Sequence, residues 1–275
     1  MLADSHIHLF KNGYKTSGEN EVSKYESLIE EYSIKCALVI GYEGEPWAVG
    51  NNAFIASIAN SRPWMHPLAY LRPEELQVQR LEGLLSLGFK GISLYLSSDS
   101  DGKNLLAVDS TAWKWLGDHH WIISVNSKEG LWNPWLDVMK DFPKLYLLIA
   151  HLGSPSVIGR NFTKDATREQ LAPIKRLYEY QNVYLKLSGF YAFEPAHPIY
   201  PYPTLEKYLE YLFDDFVIDK FIWGSDFSPS IESVTFPETF EFLAKLPFLE
   251  SRNLSKILHL NLLNLLATID KENTG

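Results

Sequence analysis

The amino-acid sequence predicts an α/β protein built as a single (β/α)8 TIM barrel. Short apolar runs alternate with longer segments of helical period along the whole chain, which is the pattern of repeated βα units on a parallel sheet. Eight such apolar runs occur in 275 residues, and about 250 residues is the usual size of a single barrel. No linker or low-complexity segment interrupts the alternation. We therefore expect one barrel domain that covers residues 1–275.

The predicted strands are short runs rich in branched and aromatic side chains, as buried strands are. They are an opening strand from Leu2 and the segments 35–41, 66–71, 89–96, 121–127, 144–151, 183–188 and 221–225. Each run is shorter than the helical segments that flank it, which favours a strand over a buried helix. The last strand leads directly into Asp226.

The predicted helices fill the intervals between the strands and carry the signals of helix ends. Asn51 is a suitable N-cap for a helix at 51–61, and Pro73 and Gly88 mark the two ends of a helix at 74–87. The other predicted helices are 19–32, 110–119, 132–140, 166–180, 203–213 and an apolar helical tail at 237–269. The tail is expected to pack on the barrel wall.

The longest irregular stretches are 41–50, 97–103, 152–164 and 189–202. All four follow a predicted strand, and barrel enzymes place their active-site loops at this end of the strands. Trp132 and Tyr191 also follow strands and are candidates to line a pocket, although aromatic side chains more often belong to a core.

Composition argues against several classes of protein. The net charge of −9 and the isoelectric point near 5.4 argue against a nucleic-acid partner, which would need a basic patch. No apolar run reaches the roughly 18 residues of a membrane span, and no signal peptide is recognisable before the opening strand. The single cysteine, Cys36, lies in an apolar run and is expected to be a buried thiol. We therefore expect a cytoplasmic protein.

His6 and His8 stand two residues apart on the opening strand. Side chains at positions i and i+2 of a strand point to the same face, so the two imidazoles can close on one metal ion. Such a pair also occurs by chance, and the far end of the chain favours the metal interpretation. If the first and last strands are neighbours in a closed barrel, the carboxylate of Asp226 lies beside both histidines.

Alternation along the strands predicts which side chains face the barrel interior. In the seventh strand the aliphatic residues would meet the helices, which turns Lys186 and Ser188 inward. The same reasoning turns Asn126 of the fifth strand inward, and a register error of one residue would reverse any of these assignments. The expected polar rim at the C-terminal strand ends is His6, His8, Arg72, Tyr95, Asn126, His151, Lys186 and Asp226.

Five segments resemble the amidohydrolase superfamily, in particular its amidohydrolase-related (amidohydrolase 2) family and the lactonase-like branch. They are DSHIHLF at the opening strand, AHLGSP around His151, VYLKLSGFY in the seventh strand, WGSDFSP around Asp226 and KILHLNLLNLL near the end. The resemblance implies that His6 and His8 are a metal-ligand pair and that His151 is the strand-six histidine of the active site. It implies that Asp226 is a general base and at times a metal ligand. The cofactor implied is a divalent metal, with zinc as the expected ion.

Two positions depart from the pattern of many superfamily members. Ser93 and Tyr95 stand on the fourth strand, where many members carry a carboxylated lysine that bridges two metals, so a binuclear site is not expected. Asn126 stands where many members carry a strand-five histidine. Lactonase-like members tolerate both differences, and some need no metal. Metal occupancy therefore stays open at this point.

The chemistry expected from these residues is hydrolysis of a cyclic ester, a lactone, with Asp226 accepting a proton from water. Arg72, Tyr95, Asn126 and Lys186 are the expected contacts to a small-molecule substrate. If Arg72 and Lys186 point inward, they are natural anchors for a carboxylate on that substrate.

Other functions stay open. A zinc-dependent decarboxylase or a C–N hydrolase of the same superfamily would use the same ligands. A barrel that binds a metabolite without turning it over would need no reactive water. The oligomeric state is equally open, and a homo-oligomer is compatible with the sequence.

Overall fold

The structure, a computed structural model, describes residues 1–156 and 163–274 and contains one parallel sheet of eight strands. The strands are β1 (Leu2–Ile7), β2 (Ile34–Ile40), β3 (Met65–Tyr70), β4 (Gly91–Leu96), β5 (Ile122–Ser127), β6 (Tyr146–Ile149), β7 (Val183–Leu187) and β8 (Phe221–Trp223). Their order in the sheet is their order in the sequence. The chain is a single (β/α)8 TIM barrel, and the predicted fold class is confirmed.

The barrel closes between β8 and β1, just beyond the last residue of β8. Ile7 and Phe227 form an isolated parallel bridge. The amide of Asp226 donates a 2.9 Å hydrogen bond to the His6 carbonyl oxygen, and the amide of His8 donates one to the Phe227 carbonyl oxygen. The end of β1 and the segment after β8 are thus joined by backbone hydrogen bonds at the C-terminal mouth of the barrel. The predicted neighbourhood of the first and last strands is confirmed.

Helices surround the sheet. They are α1 (Glu21–Tyr32), α2 (Asn51–Ala59), α3 (Val78–Ser86), α4 (Asp99–Leu106), α5 (Ser110–Asp118), α6 (Asn133–Asp141), α7 (Lys164–Leu177), α8 (Phe190–Phe193), α9 (Pro203–Asp215), α10 (Ser251–Ser255) and α11 (Asn261–Thr274). Within the described ranges, none of these helices has the length and apolar character that crossing a membrane requires. Part of the loop predicted at 152–164 lies outside the described residues.

Three segments differ from the prediction, and one of them is the short helix α8, which lies in the stretch expected to be irregular at 189–202. Helix α4 begins inside the stretch expected to be irregular, because Ser98 and Asp101 cap it reciprocally. The Ser98 hydroxyl accepts from the Asp101 amide, and the Asp101 carboxylate accepts from the Ser98 amide. The tail expected to be helical from residue 237 consists of short 3-10 turns until α10 begins, since Pro237 and Pro247 interrupt longer helices there.

Helix α11 closes the N-terminal end of the barrel. Its residues Leu265 and Ile269 belong to a buried cluster with inward-facing strand residues, among them Cys36, which is the buried thiol expected from the sequence. The hydroxyl of Tyr146 at the start of β6 donates a 2.6 Å hydrogen bond to Glu272 of α11. Because apolar packing seals this end, polar groups inside the barrel reach solvent at the opposite, C-terminal end.

Candidate active site

His6 and His8 lie at the end of β1, where the barrel opens. Their imidazoles share one face, as alternation predicts, and the two Nε2 atoms lie 3.2 Å apart. The residues are only 1% and 6% exposed. Burial disfavours the charged imidazolium, so it lowers the pKa of His8 to about 4 and that of His6 well below its usual value. Both rings are therefore neutral near pH 7 and offer nitrogen lone pairs.

Asp226 follows β8 with a left-handed backbone φ of 57°, which is uncommon for a residue other than glycine. Its Oδ1 lies 3.7 Å from His6 Nε2 and 3.8 Å from His8 Nε2. Its Oδ2 accepts a 2.9 Å hydrogen bond from the Tyr191 hydroxyl. Burial raises the pKa of this carboxyl to about 7, although the Tyr191 hydrogen bond favours the ionised form. The arrangement leaves Oδ1 facing the two imidazoles.

The donor atoms of His6, His8 and Asp226 fit a divalent metal ion. They all lie within 4.8 Å of one another. His8 Nδ1 is 2.8 Å from the Ile40 carbonyl oxygen, and because a carbonyl only accepts, Nδ1 carries the proton and Nε2 the lone pair. Donors around a tetrahedral zinc ion stand about 3.3 Å apart. The corresponding separations in this site are 3.2, 3.7 and 3.8 Å, so the three residues could hold the ion with small adjustments.

Lys186 points from β7 into the barrel beneath the histidines. Its Nζ donates a 2.7 Å hydrogen bond to Ser124 Oγ and lies 3.3 Å from His6 Nδ1. The side chain is fully buried, and desolvation lowers its pKa to about 7 against the opposing influence of Asp4 and Asp226. The inward direction agrees with the alternation in β7. Lys186 has no exposed surface and does not line the cavity, so a contact to substrate stays a prediction.

Asp4 lies deeper in the barrel than the two histidines. Its Oδ1 accepts hydrogen bonds from the amides of His6 (3.1 Å) and Ser225 (2.9 Å), and its Oδ2 accepts one from the Tyr25 hydroxyl (3.0 Å). These contacts tie β1 to the segment after β8 and to α1. Asp4 therefore holds the two ends of the site together rather than facing the cavity.

His151 follows β6 and completes the polar floor of the site. Its ring centroid lies 4.5 Å from that of His6, and its Nδ1 lies 3.1 Å from the Ser188 hydroxyl, which also accepts from the His151 amide. A hydroxyl that accepts the amide proton can donate its own proton to Nδ1, which leaves the ring proton on Nε2. Burial lowers the pKa of His151 to about 3, so the ring is neutral. A Cβ on Gly189 would stand 2.6 Å from Nδ1, so the ring position requires glycine there.

An open cavity of about 520 Å³ lies above these residues at the C-terminal mouth of the barrel. The predicted site residues that line it are His8, Tyr95, Asn126, His151 and Asp226. Tyr191, a candidate from the sequence, lines it as well. Trp132 does not line it; its indole nitrogen donates to the Gly153 carbonyl oxygen and so supports the loop after β6.

Arg72 does not line the cavity, so the prediction that its side chain faces the barrel interior is wrong. Strand β3 ends at Tyr70, and Arg72 directly precedes a 3-10 turn at Pro73–Glu75. Its amide donates a 2.8 Å hydrogen bond to Glu75, and its guanidinium pairs with Glu74 and Glu75 on the surface, where the side chain is 61% exposed. The alternation of side chains holds only along a strand, and the chain has already left β3 at this point.

An aromatic wall lines one side of the cavity, and the sequence predicted only one of its members. The wall consists of Phe10, Tyr14, Tyr42, Trp47 and Tyr95. All but Tyr95 come from the loops after β1 and β2. The available signal was the concentration of aromatic residues in these two loops. Loops have no side-chain periodicity, so the sequence could not indicate that the rings face one cavity.

Comparison with protein-family profiles matches residues 47–265 to the amidohydrolase family. The matched region contains His151 and Asp226, whereas His6 and His8 precede it. No match was found among proteins with curated descriptions.

Solved structures share the fold over almost the whole chain. An amidohydrolase from Burkholderia multivorans with bound zinc gives a TM-score of 0.77 at 13% identity, and the match covers 97% of this chain and 99% of that one. A candidate 2-pyrone-4,6-dicarboxylic acid hydrolase from Pseudomonas putida gives 0.74 at 17% identity, with 97% of each chain covered. The 5-carboxyvanillate decarboxylase from Sphingomonas paucimobilis gives 0.59 at 10% identity, with 96% and 98% covered. The structural likeness shows the fold, and the family match covers most of the sequence: this chain is an enzyme that belongs to the amidohydrolase family.

Proposed function

We propose that this enzyme hydrolyses a lactone and that Asp226 is the general base that activates the attacking water. One observation carries the proposal. The Asp226 carboxylate lies at the floor of an open cavity, with Oδ2 held by Tyr191 and Oδ1 directed at the neutral rings of His6 and His8. A water molecule between Oδ1 and a substrate carbonyl would be placed for attack.

The proton of that water passes to Asp226 Oδ1 while the water oxygen bonds to the carbonyl carbon. The ring C–O bond then breaks, and the proton held on Asp226 passes to the departing alkoxide oxygen. The product is an open-chain hydroxy acid. General base catalysis of this kind contributes typically about 10²–10⁴-fold, and it is most effective when the pKa of the base is close to the working pH. A carboxyl whose pKa is raised to about 7 meets that condition.

The carbonyl oxygen gains negative charge during the attack and needs donors. His151 and Asn126 both line the cavity. The Nε2–H group of the neutral His151 ring, or the side-chain amide of Asn126, can donate a hydrogen bond to the carbonyl oxygen. His6, His8 and Asp226 would hold a divalent metal ion, which we propose is zinc, and the ion would supply Lewis-acid polarisation of the same carbonyl.

The comparisons support a lactone more than its rivals. The P. putida protein is described as a candidate hydrolase of 2-pyrone-4,6-dicarboxylic acid, and a pyrone is a cyclic ester. The S. paucimobilis enzyme shares the fold and removes a carboxyl group, so metal-assisted decarboxylation or C–N hydrolysis is the second candidate. Recognition of a carboxylate was expected to depend on Arg72 and Lys186, and neither faces the cavity. A carboxylate contact to these two side chains is therefore not part of the proposal.

A panel of lactones tests the proposal. We expect the wild type to open at least one class of lactone, and we expect Asp226→Asn to lower kcat by about 10²–10⁴-fold because an amide cannot accept the proton. The melting temperature should stay within a few degrees. Asp118→Asn is the matched control, since that side chain is 56% exposed on α5 and far from the cavity mouth. Wild-type kcat in Asp226→Asn would rule out Asp226 as the base.

The same panel, repeated after treatment with a chelator, tests the metal. We expect activity to fall on chelation and to return on addition of zinc. Elemental analysis would show whether the treated protein is free of metal. If such protein kept the wild-type activity, the metal would not be needed, and His151 and Asn126 would polarise the carbonyl.

A further inference from the structure

We propose that the substrate is an uncharged aromatic lactone, that is, a lactone ring fused to or carrying a flat aryl group. The inference rests on the proposed lactone hydrolysis for the reaction, and on the aromatic wall for the class of compound. It differs from the expectation of a carboxylate on the substrate.

The aromatic wall begins at the catalytic floor and continues to the rim of the cavity. The Phe10 ring stacks on the His8 imidazole with 5.9 Å between centroids and 10° between planes. Phe10 in turn packs edge-on against Trp47 at 4.8 Å, and Tyr14 packs edge-on against Trp47 at 5.2 Å. A substrate whose carbonyl lies at His8 would therefore place the rest of its ring system against this surface.

The rings of the wall hold one another in place before any ligand arrives. Tyr42 packs against Tyr95 at 4.9 Å and against Trp47 at 6.2 Å, so the two halves of the wall are joined. Aromatic rings in edge-to-face or tilted contact are mutually stabilised by their quadrupoles. A rigid aromatic surface binds another flat ring with little loss of side-chain entropy, because the rotamers are already fixed.

The charges around the cavity disfavour a carboxylate ligand. Among the described lining residues the cationic side chain is Lys15, and its Nζ is already paired with Glu232 at 2.7 Å. The lining also contains the carboxylates of Glu45 and Asp226. Asp226 would be shared with the proposed zinc ion, so a carboxylate on the body of the substrate would meet the Glu45 carboxylate and a lysine that is already paired, and its desolvation would not be compensated.

Two of the polar groups that line the cavity beside the wall already have partners. The Ser154 hydroxyl contacts Asn126 Oδ1 at 3.3 Å, and the Tyr191 hydroxyl donates to Asp226. A polyhydroxylated aliphatic ring would need fixed polar partners around its whole rim, whereas an aryl ring needs only the wall. The arrangement therefore matches a molecule with one polar edge, which is the lactone, and one apolar body.

Binding of slowly hydrolysed lactams tests the class of substrate independently of turnover. The probes are 3,4-dihydro-2(1H)-quinolinone as the neutral aryl compound, its 6-carboxylate as the charged one, and gluconolactam as the polyhydroxylated one. Isothermal titration calorimetry should give the neutral aryl lactam at least tenfold tighter binding than either of the others. Tighter binding of the carboxylate or of gluconolactam would overturn the inference.

Variants identify the surface responsible. Trp47→Ala should weaken the neutral aryl lactam about tenfold, since one stacking partner is lost, and Trp47→Phe should restore most of the affinity. Glu232→Gln should free Lys15 and reduce the preference for the neutral over the charged lactam severalfold. Equal affinity of wild type and Trp47→Ala for the aryl lactam, with both proteins folded by circular dichroism, would contradict the inference.

Arg160 lies outside the described residues, so Arg160→Gln is included with the charged probe. If the wild type prefers the carboxylate and Arg160→Gln loses that preference, the inference is overturned and the responsible cation is identified.

Kinetics separate this inference from the proposed function. Hydrolysis of aliphatic lactones in preference to 3,4-dihydrocoumarin would overturn the substrate class and leave lactone hydrolysis intact. Selective binding of the aryl lactam without hydrolysis of any lactone would overturn the reaction and leave the ligand class intact.

Discussion

Burial decides the charge of each titratable residue in the site. The imidazoles of His6, His8 and His151 stay neutral because the protein interior solvates a positive charge poorly. The same burial raises the pKa of Asp226 to about 7, so a group that is usually ionised well below neutrality titrates near it. Tyr191 acts in the opposite direction, because its hydroxyl donates a hydrogen bond to the ionised carboxylate.

Tyr191→Phe should therefore move the pH profile of the enzyme. Asp226 acts as a base only when ionised, so the residual kcat/KM that remains after removal of the metal should rise with pH through about 7. Removing the Tyr191 hydroxyl removes a contact that favours the ionised form, which raises the pKa of Asp226 and shifts this rise to higher pH. Tyr42→Phe removes a hydroxyl from the same cavity without contacting Asp226 and should leave the midpoint in place. An unchanged midpoint in Tyr191→Phe would contradict the assignment of this rise in kcat/KM to the ionisation of Asp226.

At the scale of the element, β7 and the turn into α8 supply several parts of the site at once. Lys186 lies beneath His6, Ser188 holds Nδ1 of His151, and Tyr191 contacts Asp226. Gly189 joins the two elements with a φ of 70°, in the left-handed region, and its missing Cβ leaves room for the His151 ring. The turn at Gly189 lets one short segment contact both His151 and Asp226.

Gly189→Ala should reduce both stability and activity. A left-handed conformation costs a residue with a Cβ roughly 1–2 kcal/mol, and the new methyl would also displace the His151 ring. Gly50→Ala separates the two effects, because Gly50 has a φ of 84° with open space around its Cβ position. We expect urea unfolding to show the cost of the left-handed conformation in both variants and a larger loss in Gly189→Ala, because only there does the methyl meet the His151 ring, and we expect kcat/KM to fall only in Gly189→Ala. Equal kcat/KM in the two variants would mean that the position of His151 does not matter for the reaction.

Elements with strict periodicity were predictable from the sequence, and residues beyond their ends were not. Alternation in β7 correctly placed Lys186 inside the barrel, because every second residue of a strand faces the same side. The same rule failed for Arg72, which lies past the end of β3 where a 3-10 turn has begun. The depth of Lys186 was also out of reach, since alternation gives the direction of a side chain but not its height in the barrel. The aromatic wall lies on loops, whose geometry depends on tertiary contacts.

At the scale of the whole molecule, the barrel separates reaction from stability. The candidate site lies at the C-terminal mouth, where the first strand and the segment after the last strand meet through His6 and Asp226. The opposite end is filled by apolar residues and covered by α11. This separation is a general feature of TIM barrels: the loops at one face carry the catalytic residues, and the other face contributes to stability.

Leu265→Ala should therefore lower stability without changing the chemistry. Leu265 is 1% exposed in the cluster that seals the N-terminal end, and truncation of such a leucine typically costs about 2–5 kcal/mol in the free energy of unfolding. Urea unfolding should show this loss, while kcat and KM measured below the melting transition should match those of the wild type. Leu260→Ala is the matched control, because Leu260 is 41% exposed and should cost less than about 0.5 kcal/mol. A fall in kcat of Leu265→Ala under conditions where the protein is fully folded would show that packing at the sealed end reaches the catalytic mouth.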